Sequence, residues 1–432
     1  MPDFYQFATH PLGKELRRRV RKIICRMAFF RYKTHALYSA QLAILHDLLA
    51  LEHSLTSCRE QASSLRNKAS QIALAAKDAD GALPDSVKQQ VKALQQEADD
   101  YAFAVRLLRY GRWLYRYVAD GIAWRAYGFN REAIRALGAK EPVAFLSKKE
   151  GIEGETNLFK AIRRQGREWL PVMHDLTNCL RTGDFSVIEH GALVQVFELK
   201  LRQSTKVDAP RSHSPRNPRE GRQAKRLQQV SEFMKSGNLE ILHPHLKGGK
   251  ALKTTTVEKH NFAAVSAAIA SARAHSTGYE EPERGLMYLA WDGRTYPVKE
   301  VLLQARQHHP HIFDTLFTFR SINPRFEQYH VSLPITAMDL SARDITDILF
   351  GRIAVMCILN YECVETFCRN NGVPLRFHHD QPNGFEITVD SKPHPSGVGQ
   401  GLWDRLLLEA LSLQSFADLI RAIMAELGIS AA

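Results

Sequence analysis

The first third of the chain has an apolar pattern that repeats every seven residues. Two rows of apolar positions, separated alternately by four and three residues, run through residues 44–76 and return in residues 87–115. The segment 78–84, which contains Asp, Gly and Pro, interrupts them. Such rows are typical of helices that bury a shared seam. We therefore predict an antiparallel coiled-coil helical hairpin, with scaffolding as its default role and dimerisation or partner docking next.

Beyond the hairpin, short apolar runs alternate with helical patterns and turn residues, which predicts a mixed α+β and α/β architecture. A length of 432 residues is enough for two or three domains. The predicted parts are a basic N-terminal arm (1–35), the coiled-coil hairpin (36–120), connecting helices (121–150), a mixed core (151–295) and a C-terminal α/β region (296–432). The last part contains no catalytic pattern.

Two segments rich in apolar and β-branched residues, 184–188 and 192–200, predict neighbouring strands. The three residues between them, 189–191, suit a hairpin loop whose glycine adopts the left-handed conformation. A loop of that length places Ile188 opposite Ala192. Because side chains alternate along a strand, the loop length also decides which residues share a face.

With a three-residue loop, Asp184 faces Val196 and lies on the side of the sheet that carries Glu198 and Lys200. The Cα atoms of Asp184 and Glu198 are then roughly 7–8 Å apart. Two carboxylates at that distance can close around one cation. We predict that they hold Mg²⁺ beside a scissile phosphate, and that Lys200 orients the attacking water and stabilises the developing negative charge.

A third carboxylate precedes these strands. Apolar residues recur at helical spacing through 155–170, and Glu155 begins that stripe. On the core side of a helix, Glu155 could join the metal site. The alternative is that Glu155, like Glu153, only complements the positive end of the helix.

The chain from about Glu155 to about Trp291 resembles the PD-(D/E)xK (restriction-endonuclease-like) nuclease superfamily. The resemblance implies Mg²⁺ or Mn²⁺ as cofactor and an αβββαβ core, which here would be helix 155–171, strands 176–181, 184–188 and 192–200, helix 221–235 and strand 286–291. No proline precedes Asp184, which the superfamily tolerates. A long segment, 204–219, follows the third strand.

The same resemblance assigns roles to individual residues. Asp184, Glu198 and Lys200 fill the active-site signature, and Glu155 takes the place of the optional helix acid. Gln228 or Gln229 would be the polar residue that many members place on the following helix, facing the site.

Positive charge is concentrated in two segments of the chain. The formal net charge is +12, and residues 1–33 and 200–226 each carry nine Lys and Arg against two acids, so the rest is nearly neutral. Concentrated basic segments bind polyanions through counterion release. A solvated helix or a membrane-surface helix is the alternative for 14–33. The predicted nucleic-acid contacts are Arg17, Arg18, Arg19, Arg202, Arg222, Lys225 and Arg226.

Residues 109–127 interleave arginines with tyrosines and tryptophans. Aromatic rings in such a series can stack on unpaired bases while the arginines hold phosphates. The commoner alternative is an amphipathic core helix with arginines at its rim. Both interpretations are compatible with the sequence.

Six cysteines without a C-x-x-C pair indicate reduced thiols and argue against structural zinc. Histidine-rich stretches at 243–245, 308–311 and 378–379 lack cysteines or acids at metal-ligand spacing, so we expect them in loops or strands. No apolar run reaches the ~18 residues that a membrane span needs. A cytoplasmic protein is expected.

The favoured function is therefore a metal-dependent endonuclease that hydrolyses phosphodiester bonds, with DNA as the favoured substrate and bacterial antiviral defence or repair as a fitting setting. Two other classes stay open. One is a catalytically inactive nucleic-acid-binding module, and the other is a coiled-coil adaptor of a larger complex. Divalent-metal-dependent cleavage distinguishes the nuclease from the inactive module.

Overall fold

The computed structural model describes residues 9–29, 34–80, 84–138, 145–165, 168–197, 218–242, 258–324, 326, 332–377, 385–389, 392–394 and 400–426. The helices are α1 (Pro11–Phe29), α2 (Thr34–Asp80), α3 (Asp85–Ala126), α4 (Arg131–Leu137), α5 (Ile152–Gln165), α6 (Pro218–Ser236), α7 (Phe262–His275), α8 (Val298–His308), α9 (Pro310–Phe313), α10 (Ala342–Leu349), α11 (Tyr361–Asn370), α12 (Gln400–Leu408) and α13 (Leu413–Glu426). The strands are β1 (Trp169–Met173), β2 (Phe185–Glu189), β3 (Ala192–Phe197), β4 (Thr277–Glu283), β5 (Leu286–Asp292), β6 (Phe317–Ser321), β7 (Ile353–Asn360), β8 (Leu375–Phe377), β9 (Phe385–Val389) and β10 (Lys392–His394).

Helices α2 and α3 form the predicted antiparallel hairpin. Leu48 and Leu55 are fully buried in its seam, and small residues such as Ala62 and Ala98 continue the seam toward the tip. An ion pair between Arg66 and Asp99 spans the two helices at 3.4 Å. The heptad pattern therefore gave the correct element, because seam burial depends only on local spacing.

The base of the hairpin is part of the protein's main core, and α3 continues to Ala126, past the predicted end at residue 120. The interleaved residues 109–127 supply much of this core. Tyr110, Tyr115 and Trp124 are buried, and the Tyr110 hydroxyl donates to the Leu349 carbonyl at 2.6 Å. These rings pack in the interior, so the core-helix interpretation is correct for them.

The N-terminal basic segment is also packed against the body. The apolar face of α1 is buried in the main core, through Val20, Ile23, Ile24 and Met27. Arg21 and Lys22 are exposed on the opposite side. The predicted arm is thus an amphipathic helix with one face docked and the other solvated.

A three-stranded antiparallel sheet, in the order β1-β2-β3, follows helix α5. The predicted helix 155–171 was too long. The observed helix α5 ends at Gln165, and residues 169–173 form strand β1. The predicted strand 176–181 was wrong as well, since that segment belongs to the turn and loop between β1 and β2. Proline at position 171, which disfavours a helix interior, explains the first error.

Strand β5 lies in a different sheet, whose order is β4-β5-β7-β6. It pairs with β4 and with β7, both antiparallel. The resemblance implied that 286–291 completes the same αβββαβ core as strands β1 to β3. In the described residues the helix–three-strand–helix order is present, but this sixth element is not part of that sheet.

The C-terminal region contains a strand hairpin, formed by β8 and β9, with Phe377 opposite Phe385. Strand β10 pairs with β9 in the same small sheet. Helices α12 and α13 bury Trp403, Leu406, Phe416 and Ile420 in the main core. Within the described residues, no helix is long and apolar enough to cross a membrane.

Candidate metal centre

Three carboxylates converge beside the three-stranded sheet. Glu155 comes from the first turn of α5, Asp175 from the 3-10 turn after β1, and Asp184 from the residue before β2. One oxygen from each of the three lies within 4.8 Å of the others. The first and third of these acids were predicted from sequence, and the structure places them together.

The ammonium group of Lys149 lies at the centre of this cluster. Its Nζ atom is 2.6 Å from Glu155 Oε1, 2.5 Å from Asp175 Oδ2 and 2.8 Å from Asp184 Oδ1. A cation therefore already occupies the position between the three acids. A divalent ion that binds the same oxygens has to displace this ammonium.

Glu155 is the most buried member, with 4% of its surface exposed. Its Oε2 atom has no hydrogen-bond partner among the described residues. An unpaired buried carboxylate oxygen is costly, because it has lost its water without a replacement donor. That oxygen is available to a metal ligated by the cluster.

Burial also raises the pKa of Glu155 to about 6 from its ordinary value of 4.5, against the opposing hydrogen bond from Lys149. For Lys149, burial lowers the pKa, but Asp175 and the other two carboxylates outweigh it and the net shift is upward. The lysine is therefore charged at neutral pH. The cluster then carries more negative than positive charge, which favours a divalent ion.

The base of the coiled-coil hairpin holds the segments that carry these residues. Glu52 of α2 accepts from the Ser147 amide at 2.9 Å, two residues before Lys149. Arg116 of α3 donates to the Asp175 carbonyl. Asp120 accepts from the amides of Asn178 and Cys179 at 2.6 and 2.9 Å.

The sheet itself is tied to the hairpin in the same way. The Gln41 side chain donates to the Pro171 carbonyl at 2.9 Å and accepts from the Met173 amide at 3.0 Å. Gln41 thereby satisfies backbone groups on the outer edge of β1. The scaffolding role predicted for the hairpin thus has a definite geometry, in which it fixes the loops and the strand beside the acids.

His174 positions the backbone of Asp184. The His174 amide donates to the Asp184 carbonyl at 2.9 Å, and the Asp184 amide donates to the Phe197 carbonyl at 2.8 Å. The imidazole Nδ1 contacts the Thr182 carbonyl at 2.7 Å and Nε2 contacts the Ser186 hydroxyl. Since a carbonyl only accepts, Nδ1 carries the proton.

Burial lowers the pKa of His174 to about 4, so the ring is neutral at physiological pH. Ser186 in turn accepts from the Tyr127 hydroxyl at 2.5 Å. The chain of donors runs from Tyr127 through Ser186 to His174. These hydrogen bonds link neutral groups, and they fix the loop that ends at Asp184.

The loop between β2 and β3 differs from its prediction. Glu189 pairs with Ala192, so the loop has two residues, and both adopt a left-handed backbone with φ of 50° at His190 and 81° at Gly191. The register of β2 against β3 also shifts between Val187 and Ile188, because Val187 lies opposite Gln195 and Ile188 lies opposite Leu193. Left-handed conformations at both positions match the right-handed twist of a hairpin, which explains the shorter loop.

The shorter loop and the bulge change the register of the two strands. As a result, Ser186, and not Asp184, lies opposite Val196. The last described pair is Phe185 with Phe197. Glu198 and Lys200, the second half of the predicted signature, lie outside the described residues. Asp184 is nevertheless next to the end of β3, through its hydrogen bond to Phe197.

Gln228 lies on the exposed face of α6, where its Nε2 donates to Glu232 Oε1 at 2.9 Å. Its neighbour Leu227 lies close to the loop at Gly183. A Cβ atom placed on that glycine would be 3.6 Å from the Leu227 Cδ2 atom. Gln229 is half-buried. The structure thus shows α6 near the Asp184 loop but gives Gln228 a partner on its own helix.

The predicted nucleic-acid contacts have diverse environments. Arg18 and Arg19 pair with Glu15 on α1, and Arg19 also reaches Asp47 at 2.9 Å. Lys225 is exposed, whereas Arg226 is partly buried and lies 3.4 Å from the Ala136 carbonyl. Arg202 and the side chain of Arg222 lie outside the described residues.

Arg17 belongs to a larger group of arginines around Asp347. The buried carboxylate of Asp347 lies 2.9 Å from Arg17, 2.9 Å from Arg273 and 3.5 Å from Arg352. A fourth arginine, Arg343, is 3.9 Å away.

Among the described residues, Asp344 also pairs with this group, at 2.7 Å from Arg273. Burial lowers the pKa of Arg17, and repulsion by Arg352, Arg21 and Arg294 lowers it further against the opposing attraction of Asp347, which indicates that positive charge accumulates here. Arg343 and Arg352 are 67% and 40% exposed. This group, named here the arginine surface, was missed from the sequence because its members come from three separate segments, around residues 17, 273 and 343–352.

No protein-family model matches the chain, and neither a curated protein nor a solved structure matches it.

The raised pKa of Glu155 predicts how stability depends on pH. Because folding favours its protonated form, this group's stabilising contribution is complete below pH 4.5 and is lost as the pH rises through about 6. We expect the metal-free protein to lose part of its unfolding free energy in that window and Glu155→Gln to remove that part. Denaturant unfolding at several pH values measures it. Identical pH profiles for the two proteins would show that Glu155 does not titrate there.

Proposed function

We propose that this protein is a metal-dependent phosphodiesterase that cleaves nucleic acid, with DNA as its substrate. The observation that carries the proposal is the convergence of Glu155, Asp175 and Asp184 on one cation position. A helix, a turn and the residue before a strand each contribute one acid to it, and two of the three were expected from the nuclease resemblance. The unpaired Glu155 oxygen supports a further ligand.

Oxygen ligands of this kind suit Mg²⁺ or Mn²⁺. Glu155, Asp175 and Asp184 would hold the ion, and we propose Glu198, the residue after Phe197, as a further ligand. When bound, the ion supplies Lewis-acid polarisation of the phosphoryl oxygen and a lower pKa for a coordinated water. Lys200 is proposed to stabilise the negative charge that develops on the phosphate.

The protein's own contribution is positioning. His174 and Asp120 fix the loop that carries Asp175 and Asp184, while Glu52 fixes the turn before Lys149. Without a metal, the Lys149 ammonium neutralises part of the acid cluster and keeps the three carboxylates together. Substrate phosphate is repelled by the cluster until a divalent ion replaces that ammonium.

A second candidate function is favoured by the same lysine. If Lys149 is a permanent counter-ion, the acid cluster is a structural ion-pair network and the protein binds nucleic acid without cutting it. Cleavage assays on single-stranded, duplex and branched DNA and on RNA, each with Mg²⁺, Mn²⁺ or EDTA, distinguish the two. Metal-dependent products support the nuclease, and retained binding without products supports the inactive module.

Association of the protein with a partner or a second copy through the coiled-coil hairpin stays a prediction.

The arginine surface is the proposed contact for the phosphate backbone. Each phosphate contact contributes about −0.9 to the slope of log affinity against log salt on duplex DNA. We expect Arg343→Gln combined with Arg352→Gln to make that slope less steep by about two, because both side chains are exposed and leave Arg17 and Arg273 to pair with Asp347. Fluorescence anisotropy with labelled duplex measures it without metal.

The matched control is Arg66→Gln, which removes an exposed arginine from the hairpin. Its slope should equal that of the wild type. Equal slopes for the double variant and the control would exclude the arginine surface as the phosphate contact. Cleavage is not required for this assay, so it remains informative if the nuclease proposal fails.

A further inference from the structure

Two histidines and a glutamate meet at the edge of the four-stranded sheet, on elements that contribute nothing to the acid cluster. His311 Nε2 lies 2.9 Å from both carboxylate oxygens of Glu281. His309 Nδ1 lies 3.5 Å from Glu281 Oε2. One donor atom from each residue lies within 4.8 Å of the others.

The glutamate is held by an irregularity of the edge strand. The pairing of β4 with β5 shifts register between Glu280 and Glu283, so Glu281 lies in a bulge. Bulges redirect a side chain that regular alternation would place elsewhere. The Gly285 amide donates to Glu281 Oε1 at 2.9 Å and fixes the carboxylate.

The histidines lie on the corner between α8 and α9, and this corner is anchored. The His309 amide donates to the Ala305 carbonyl at 2.9 Å. Asn360 Nδ2 donates to the carbonyls of His311 and Ile312 at 3.3 and 3.1 Å. Ile312 is completely buried. Both sides of the cluster are therefore positioned by backbone contacts that are independent of any ion.

We propose that Glu281, His309 and His311 bind a Zn²⁺ ion. Two imidazoles and one carboxylate are a ligand set that zinc uses when its fourth position is left to water. Bond lengths of about 2.0–2.2 Å in a tetrahedron require donor atoms about 3.3–3.5 Å apart. The two histidine–glutamate separations, 2.9 and 3.5 Å, bracket that requirement, and the donor atoms of the two histidines lie within 4.8 Å of each other.

Partial exposure of the three side chains gives the ion an entry path. His309 is 26% exposed, His311 42% and Glu281 16%. The bound ion would clamp the α8–α9 corner onto strand β4. The sequence alone does not predict this site, because no acid lies at ligand spacing from these histidines in the chain, whereas the fold supplies one from a separate strand.

Zinc titration of the full-length chain without a histidine tag tests the proposal. Competition with a chromogenic chelator gives affinity and stoichiometry, and Co²⁺ substitution reports the coordination number through its absorption spectrum. We expect one tight equivalent. His309→Ala and His311→Ala should each weaken it by more than about 100-fold, beyond the roughly 10–100-fold cost of losing an outer-shell partner.

His308→Ala is the matched control. His308 is exposed, its ring lies against Tyr279, and it is not one of the three residues of the proposed zinc site. That variant should bind zinc as the wild type does. Asp184→Asn should also keep this zinc equivalent, which makes the outcome independent of the nuclease proposal. Thermal unfolding checks that each variant is folded, and His311→Asn replaces His311→Ala if the latter is not.

The proposal is overturned if the wild type takes up no tight zinc equivalent. It is also overturned if His309→Ala, His311→Ala and the His308→Ala control all retain the same affinity. In either case, Glu281, His309 and His311 are an ordinary polar cluster at the sheet edge.

Discussion

Asp184→Asn is expected to lower metal-dependent DNA cleavage by at least about 100-fold, since a bound ion supplies several kcal/mol of transition-state charge stabilisation. The amide is nearly the same size as the carboxylate but carries no charge, so it is a poor ligand for Mg²⁺. The backbone bonds of Asp184 to His174 and Phe197 remain, and the fold should be retained. Cleavage rate and Mn²⁺ affinity, measured together, show whether the loss follows the metal.

Glu155→Gln and Asp175→Asn should act in the same direction if all three acids share one ion. Their effects should not add to that of Asp184→Asn, because each removes part of one metal site. The matched control is Glu132→Gln, because Glu132 is a partly exposed acid outside the cluster that pairs with Arg135 at 3.2 Å. Unchanged cleavage in the three site variants would remove the acid cluster from the mechanism.

Lys149→Met is expected to raise Mg²⁺ affinity and to destabilise the metal-free protein. Its ammonium occupies the position between the acids, so its removal ends the competition. A tenfold gain in affinity corresponds to about 1.4 kcal/mol, and we expect at least that. Without metal, the remaining carboxylates repel one another, so the free energy of unfolding should fall by about 1–3 kcal/mol. This is less than the roughly 3–5 kcal/mol lost when a fully buried ion pair is broken, because Lys149 is partly exposed.

Thermal unfolding with and without Mg²⁺ measures both effects, and the gain in melting temperature on adding Mg²⁺ should be larger for Lys149→Met than for the wild type. Lys148→Met is the control, since Lys148 is exposed and lies over the Phe145 ring. Equal or weaker Mg²⁺ affinity in Lys149→Met would show that the ammonium does not compete with a metal. The cluster would then be a structural ion-pair network.

The sequence was sufficient where spacing along the chain decides the outcome. Heptads predicted the hairpin, and the helical stripe after Glu155 predicted a helix that turns this acid inward. The strand pattern placed Asp184 at the start of a strand, and β2 begins one residue later. These features depend on neighbouring residues and on burial of one face, which a single sequence records directly.

The rest depends on contacts between distant segments. Lys149 has no local signal, because its role arises from a turn held by Glu52. Asp175 was missed because strand β1 was predicted as helix, although Pro171 within it was an available warning. The placement of β5 in a second sheet is a matter of strand order, which periodicity does not specify.

Cleavage of plasmid DNA by the wild-type chain in Mg²⁺ and in EDTA, compared with cleavage by Asp184→Asn, tests whether the acid cluster is the active site of a metal-dependent nuclease. We expect strand breaks in Mg²⁺, none in EDTA and at least about 100-fold fewer in the variant. Equal cleavage by Asp184→Asn, or intact plasmid with bound wild-type protein in both Mg²⁺ and Mn²⁺, would contradict this assignment.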